Sequence, residues 1–65
     1  MTHLAVLLMV GYWFFLFDAE QARVIRIPEA GLFSSWVECE ETAAWIFRRD
    51  PARFWPSICR EEVRP

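Results

Sequence analysis

Cys39 and Cys59 are the residues whose chemistry is most direct in this chain. Nineteen residues lie between them, and closing a loop of that size is worth about 3 kcal/mol in the chain-entropy picture. No Cys-x-x-Cys spacing is present, so a structural bridge is expected rather than a redox-active pair. Glu38, Glu40 and Glu41 are the next cluster that could do acid–base work or hold a cation. Their spacing fits the solvated first turns of a helix, where negative charge opposes the helix dipole. His3 is the one histidine, and a single imidazole without Cys or acidic neighbours makes no metal site. There is no glycine-rich phosphate loop and no Ser-His-Asp set. The expectation is no catalytic residue, no metal and no cofactor.

A different chemistry comes from the aromatics. Trp36, Trp45, Phe54 and Trp55, with Phe47, are more large rings than so small a core can hold. Exposed apolar surface usually marks a partner, and tryptophan is a frequent anchor in interfaces. These four residues are the predicted partner-binding set. A net charge of −2 spread over 65 residues gives no cationic footprint, so nucleic acid is not an expected partner.

The elements that must position these groups start with Leu4 to Phe17, fourteen residues without a charge. As a helix this run rises about 21 Å, short of a bilayer core of about 30 Å. Extension to Ala22 supplies the length. Tyr12, Trp13 and Phe17 crowd its C-terminal half and fit a membrane interface, with the water boundary near Asp18. The rival is a cleaved signal peptide. Cleavage after Ala22 would put Glu20 third-last, and cleavage after Ala19 would put Phe17 there, both poor choices. Arg23 and Arg26 favour a cytoplasmic C-terminal part, whereas a disulfide favours an oxidising compartment. The second argument is given the greater weight.

Arg23 to Ile27 is β-branched and stops at Pro28, the pattern of a short strand. Pro28 to Gly31 is a turn. Ser35 followed by Glu38 is a capping box, and Arg48 and Arg49 close the helix that it opens. Trp36, Cys39, Ala43, Ile46 and Phe47 form its apolar stripe, with Trp45 off it. Ala52 to Trp55 reads as one helical turn cut off by Pro56. Ser57 to Arg64 reads as a strand or an extended tail. Val24, Ile25 and Ile58 are expected to join the core.

The predicted fold is therefore small α+β: a single N-terminal transmembrane helix over residues 1–22, then a disulfide-stapled β-α-β mini-domain over 23–65, with its central helix at about 35–49. The domain is placed on the extracytoplasmic side, anchored in the lipid bilayer. The expected function is a non-catalytic, single-pass accessory subunit of a larger membrane protein complex. The alternative is an exported, signal-cleaved mini-protein that binds a soluble or cell-surface partner.

Overall fold

The computed structural model of the chain describes residues 8–65. The apolar run is not a helix there. Met9–Asp18 is a ten-residue strand, β1. No helix among the described residues is long and apolar enough to cross a membrane. This overturns the single-pass helix and the membrane placement that rested on it. The physical reason lies in the residue types and in the number of faces covered. Tyr, Trp and Phe favour a pleated surface. Strand β1 also meets neighbours on both faces, so both of its alternating residue sets are apolar.

The other elements are β2 (Arg23–Ile27), α1 (Trp36–Arg49), β3 (Phe54–Pro56) and β4 (Arg60–Arg64). β1 pairs antiparallel with β2 along one edge, from Phe14 opposite Ile27 to Asp18 opposite Arg23. Beyond β2 the same edge is continued by a single bridge, where Tyr12 and Phe33 exchange N–H···O bonds of 3.0 and 2.8 Å. The other edge of β1 takes β3 at Leu16–Asp18 and β4 at Met9–Trp13. β3 and β4 are thus two parts of one interrupted strand. The helical turn expected over Ala52 to Trp55 stops short: the Asp50 carbonyl accepts from Arg53 and Phe54, and Phe54 then enters the sheet. Pro56 is tolerated because Arg53 and Ser57 are the positions bonded to β1, so its missing N–H falls on the outer edge.

Phe14 and Leu16 on one face of β1 meet Cys39 and Ala43 of α1, and Cys59 completes the buried apolar set. Tyr12, Ile25, Ile27, Phe33, Ile46 and Phe54 pack around it. Val24 and Ile58, expected in the core, are exposed. α1 opens on Ser35, whose Oγ accepts from Glu38 N–H at 3.1 Å. The Glu38 carboxylate reaches back one residue further than the capping box predicts, to the amide and hydroxyl of Ser34.

On the opposite face of β1, Trp13 lies under the guanidinium groups of Arg26 and Arg60, at 5.1 and 5.6 Å, with Phe15 edge-on to it. Arg26 also donates to the carbonyls of Pro28 and Gly31, holding the loop that follows β2 against this face. Leu32 in that loop lies directly over Gly11, where any Cβ would overlap its side chain. Gly11→Ala should therefore destabilise the fold by about 1–3 kcal/mol, the range for overpacking. Urea unfolding checks this, and an unchanged midpoint would mean that Leu32 yields freely.

Candidate functional site

The site begins with a register shift. Phe17 lies opposite Trp55, and Ser57 N–H donates to the Phe15 carbonyl at 2.7 Å. Four positions further from Phe17, Trp13 lies opposite Arg60. Between these points β1 has only Phe14, while the partner strand has Ile58 and Cys59. This is a β-bulge, one extra residue on the outer strand. The Ser57 hydroxyl stabilises it by accepting from Phe15 N–H at 2.9 Å and donating to the Ile58 carbonyl at 3.0 Å. Side chains alternate across a strand, so without the extra residue Cys59 would point away from α1. With it, Cys59 faces the helix and bonds to Cys39, the two Cα atoms being 6.3 Å apart. Ile58, the residue displaced by the bulge, is 80% exposed.

Beside this bulge, α1 and the β3–β4 segment enclose an open groove of about 400 Å³. Ala43 and Ala44 form its floor. Phe47, Trp55, exposed Ile58 and Glu40 line it as well. Trp55 is 53% exposed and is fixed in place by Nε1 donating to the Pro51 carbonyl at 2.9 Å and by contact with Phe17. A second, more polar depression lies on the other side of the helix, lined by Glu38, Glu41, Trp45 and Arg48, and it shares Glu40 and Ala44 with the first.

The predicted partner-binding residues do not form one patch. Trp55 lines the groove, and Trp45 lines the neighbouring depression with Arg49 stacked over its ring at 5.0 Å. Trp36 sits apart at the start of α1, edge-on to Tyr12. Phe54 turns inward onto the core with Arg53 over its ring. Tyr12, Trp13 and Phe17, expected at a membrane interface, are all positions of β1. Tyr12 packs against the core, whereas Trp13 and Phe17 lie on the opposite sheet face, at the Arg26–Arg60 stack and against Trp55. His3 lies outside the described residues. Among the described residues no three of His, Cys, Asp and Glu gather where they could hold a metal ion.

Sequence reasoning missed Ile58 and Phe47 as surface residues. It also missed the pair that locks the far end of β1. Asp18, read as a headgroup-level residue, is 2% exposed. Its carboxylate accepts from Arg53 Nε and Nη2, both at 3.0 Å, and from the amides of Glu20 and Gln21. It therefore closes the β1–β2 turn and ties that turn to the entry of β3. The bidentate Arg53 bond holds the Asp18 carboxyl below its ordinary value, against the opposing effect of burial. A sequence signal existed in Asp18 at the end of an apolar run before a short polar turn, the usual place for an Asx turn.

No family model, curated protein or solved structure matches this chain.

Two outcomes follow for stability. Reduction of Cys39–Cys59 should remove about 3 kcal/mol, read as a lower denaturation midpoint with and without reductant. A midpoint unmoved by reduction would deny the bridge its structural role. Because the folded Asp18 pKa is lowered, its contribution is present above the ordinary carboxylate value of 3.8 and is lost as the pH falls through the folded value. Melting of the wild type and Asp18→Asn should accordingly differ most near neutral pH and converge as the pH falls below 3.8 and through the lowered folded value. A constant gap across that window would contradict the assignment.

Proposed function

We propose that this chain is a non-catalytic binding protein, stapled by its disulfide, which engages a partner protein through the groove between α1 and the β3–β4 bulge. The observation that carries this reading is the difference between capped and uncapped aromatics. Guanidinium groups cover Trp13, Phe15 and Trp45. Among the described residues none covers Phe47 or Trp55, which are 45% and 53% exposed and both line the apolar groove; Trp36 is uncovered too but sits apart from it. Large, immobilised and uncovered rings are the usual anchors of an interface. The disulfide next to Ile58 holds the groove's rim in one geometry, so little ordering cost remains to be met on binding.

This reading keeps the exported binder of the sequence analysis but not its processing after Ala22. Removal of residues 1–22 would delete β1, to which every other strand is paired. It also needs surroundings in which the disulfide stays oxidised. A place on a larger membrane complex would use the same surface in place of a spanning helix.

A photo-crosslinking amino acid tests the proposal. Placed at Ile58 in the native host, it should yield one discrete protein adduct, and at exposed Glu29 it should yield none. Trp55→Ala should cut that adduct by about tenfold, the usual cost of losing an anchor residue. Identical products from positions 58 and 29, or an adduct indifferent to Trp55, would overturn it. The identity of the adduct separates a free partner from a membrane-complex subunit.

A further inference from the structure

Accepting the partner-binding reading above, we infer that the groove recognises an extended segment in which one apolar side chain is followed closely by Lys or Arg. The argument rests on the groove's shape and on its charge. Ala43 and Ala44 leave room over the helix that larger residues would fill, and Phe47 and Trp55 line that room as well. An aliphatic or aromatic side chain fits there, and a polar one would lose hydration without gaining a partner. At the end nearer the start of α1 stands Glu40, which belongs both to the groove and to the neighbouring depression with Glu38 and Glu41.

These carboxylates are not equivalent. Glu38 is engaged by Ser34 at the helix start. The ion pairs among the described residues join Arg53 to Asp18 and Glu20 and Arg64 to Glu62, so Glu40 and Glu41 are in none of them. The cations of α1 lie toward its other end, with Arg48 in the second depression and Arg49 stacked on Trp45. The surface thus has a polarity along the helix, negative beside the groove's Glu40 end and positive beyond it. An apolar anchor seated in the groove leaves the adjoining partner residue within reach of Glu40, which lines the same groove. A cation there is complementary, and a carboxylate there is repelled. The chain's own exposed Val63–Arg64 is an apolar-basic pair of this kind, so a second copy is the competing occupant.

The test uses the full chain, oxidised and ¹⁵N-labelled, with three blocked hexapeptides as probes. One carries Leu followed by two Lys, the second carries Leu followed by two Glu, and the third has Ser in place of Leu in the first. Saturable amide shifts at Ala43, Ala44, Ile58 and Cys59 are expected with the Leu-Lys probe. Its affinity should exceed that of the Leu-Glu probe by about tenfold at low salt, with the gap narrowing as salt rises. Glu40→Gln, a change at an exposed position, should weaken the Leu-Lys probe about threefold to fivefold. Ala44→Leu should block it by filling the floor. If Ala44→Leu does not fold, Glu40→Gln still decides the charge argument.

Equal affinity for the two Leu probes overturns the inference, as does binding of the Ser probe or the absence of any saturable shift. Concentration-dependent shifts of the same amides without probe would overturn it in favour of a second copy. In each of these cases the broader partner reading is judged separately, by the adduct at position 58.

Discussion

Every strand pairing in the sheet has β1 on one side of it. With one interior strand, the sheet has one place where backbone groups are bonded on both edges and side chains are covered on both faces. Phe14 and Leu16 meet α1, while Gly11 and Trp13 meet Leu32, Arg26 and Arg60. That demand explains the apolar residues of β1 from Gly11 to Phe17. It also explains why the run ends at Asp18, whose carboxylate is consumed by Arg53 and the turn amides instead of meeting water.

Local structure was readable where a residue acts within one element. Arg23–Ile27 is the strand that its β-branched residues and Pro28 describe. α1 begins at Ser35 because a hydroxyl there satisfies an amide of the first turn, a contact only three residues long. The disulfide was legible because two cysteines in so short a chain leave one intramolecular pairing. What failed was everything set by which element lies next to which. A run such as VGYWFFLF has the same composition in a buried strand as in a membrane helix, and periodicity cannot separate them when both faces are apolar. The bulge at Ile58 was equally invisible, since a one-residue shift depends on pairing with a strand forty residues away. For that reason Ile58 was assigned to the core, and the groove that it borders was not foreseen.

The exposed aromatics are treated in two ways. Arginines lie over Trp13, Phe15 and Trp45, each shielding a ring face. Each such contact contributes about 0.5–1 kcal/mol at an exposed site, and it makes the ring a poorer place for another molecule to bind. Phe47 and Trp55 are left open beside small alanines. The same sequence economy, seven arginines and no lysine, thus closes some of the apolar surface and leaves the groove among the parts still open. The bulge links the two requirements of the molecule, because it turns Cys59 inward to the staple and Ile58 outward to the groove.

The pairing of β1 with β4 also governs how the chain is made. During synthesis β1 leaves the ribosome some forty residues before the strand that completes its far edge. Through that interval an aromatic-rich segment with open N–H and C=O groups has only the β2 hairpin and the Phe33 bridge at Tyr12 along one edge, and its half from Met9 to Trp13 lacks the strand on the other. Such an edge invites pairing with other chains. Completion of the sheet therefore waits on the arrival of residues 60–64, and the bridge waits on Cys59 just before them. A cell producing this protein has to keep the nascent strand apart from its neighbours until residues 60–64 have emerged.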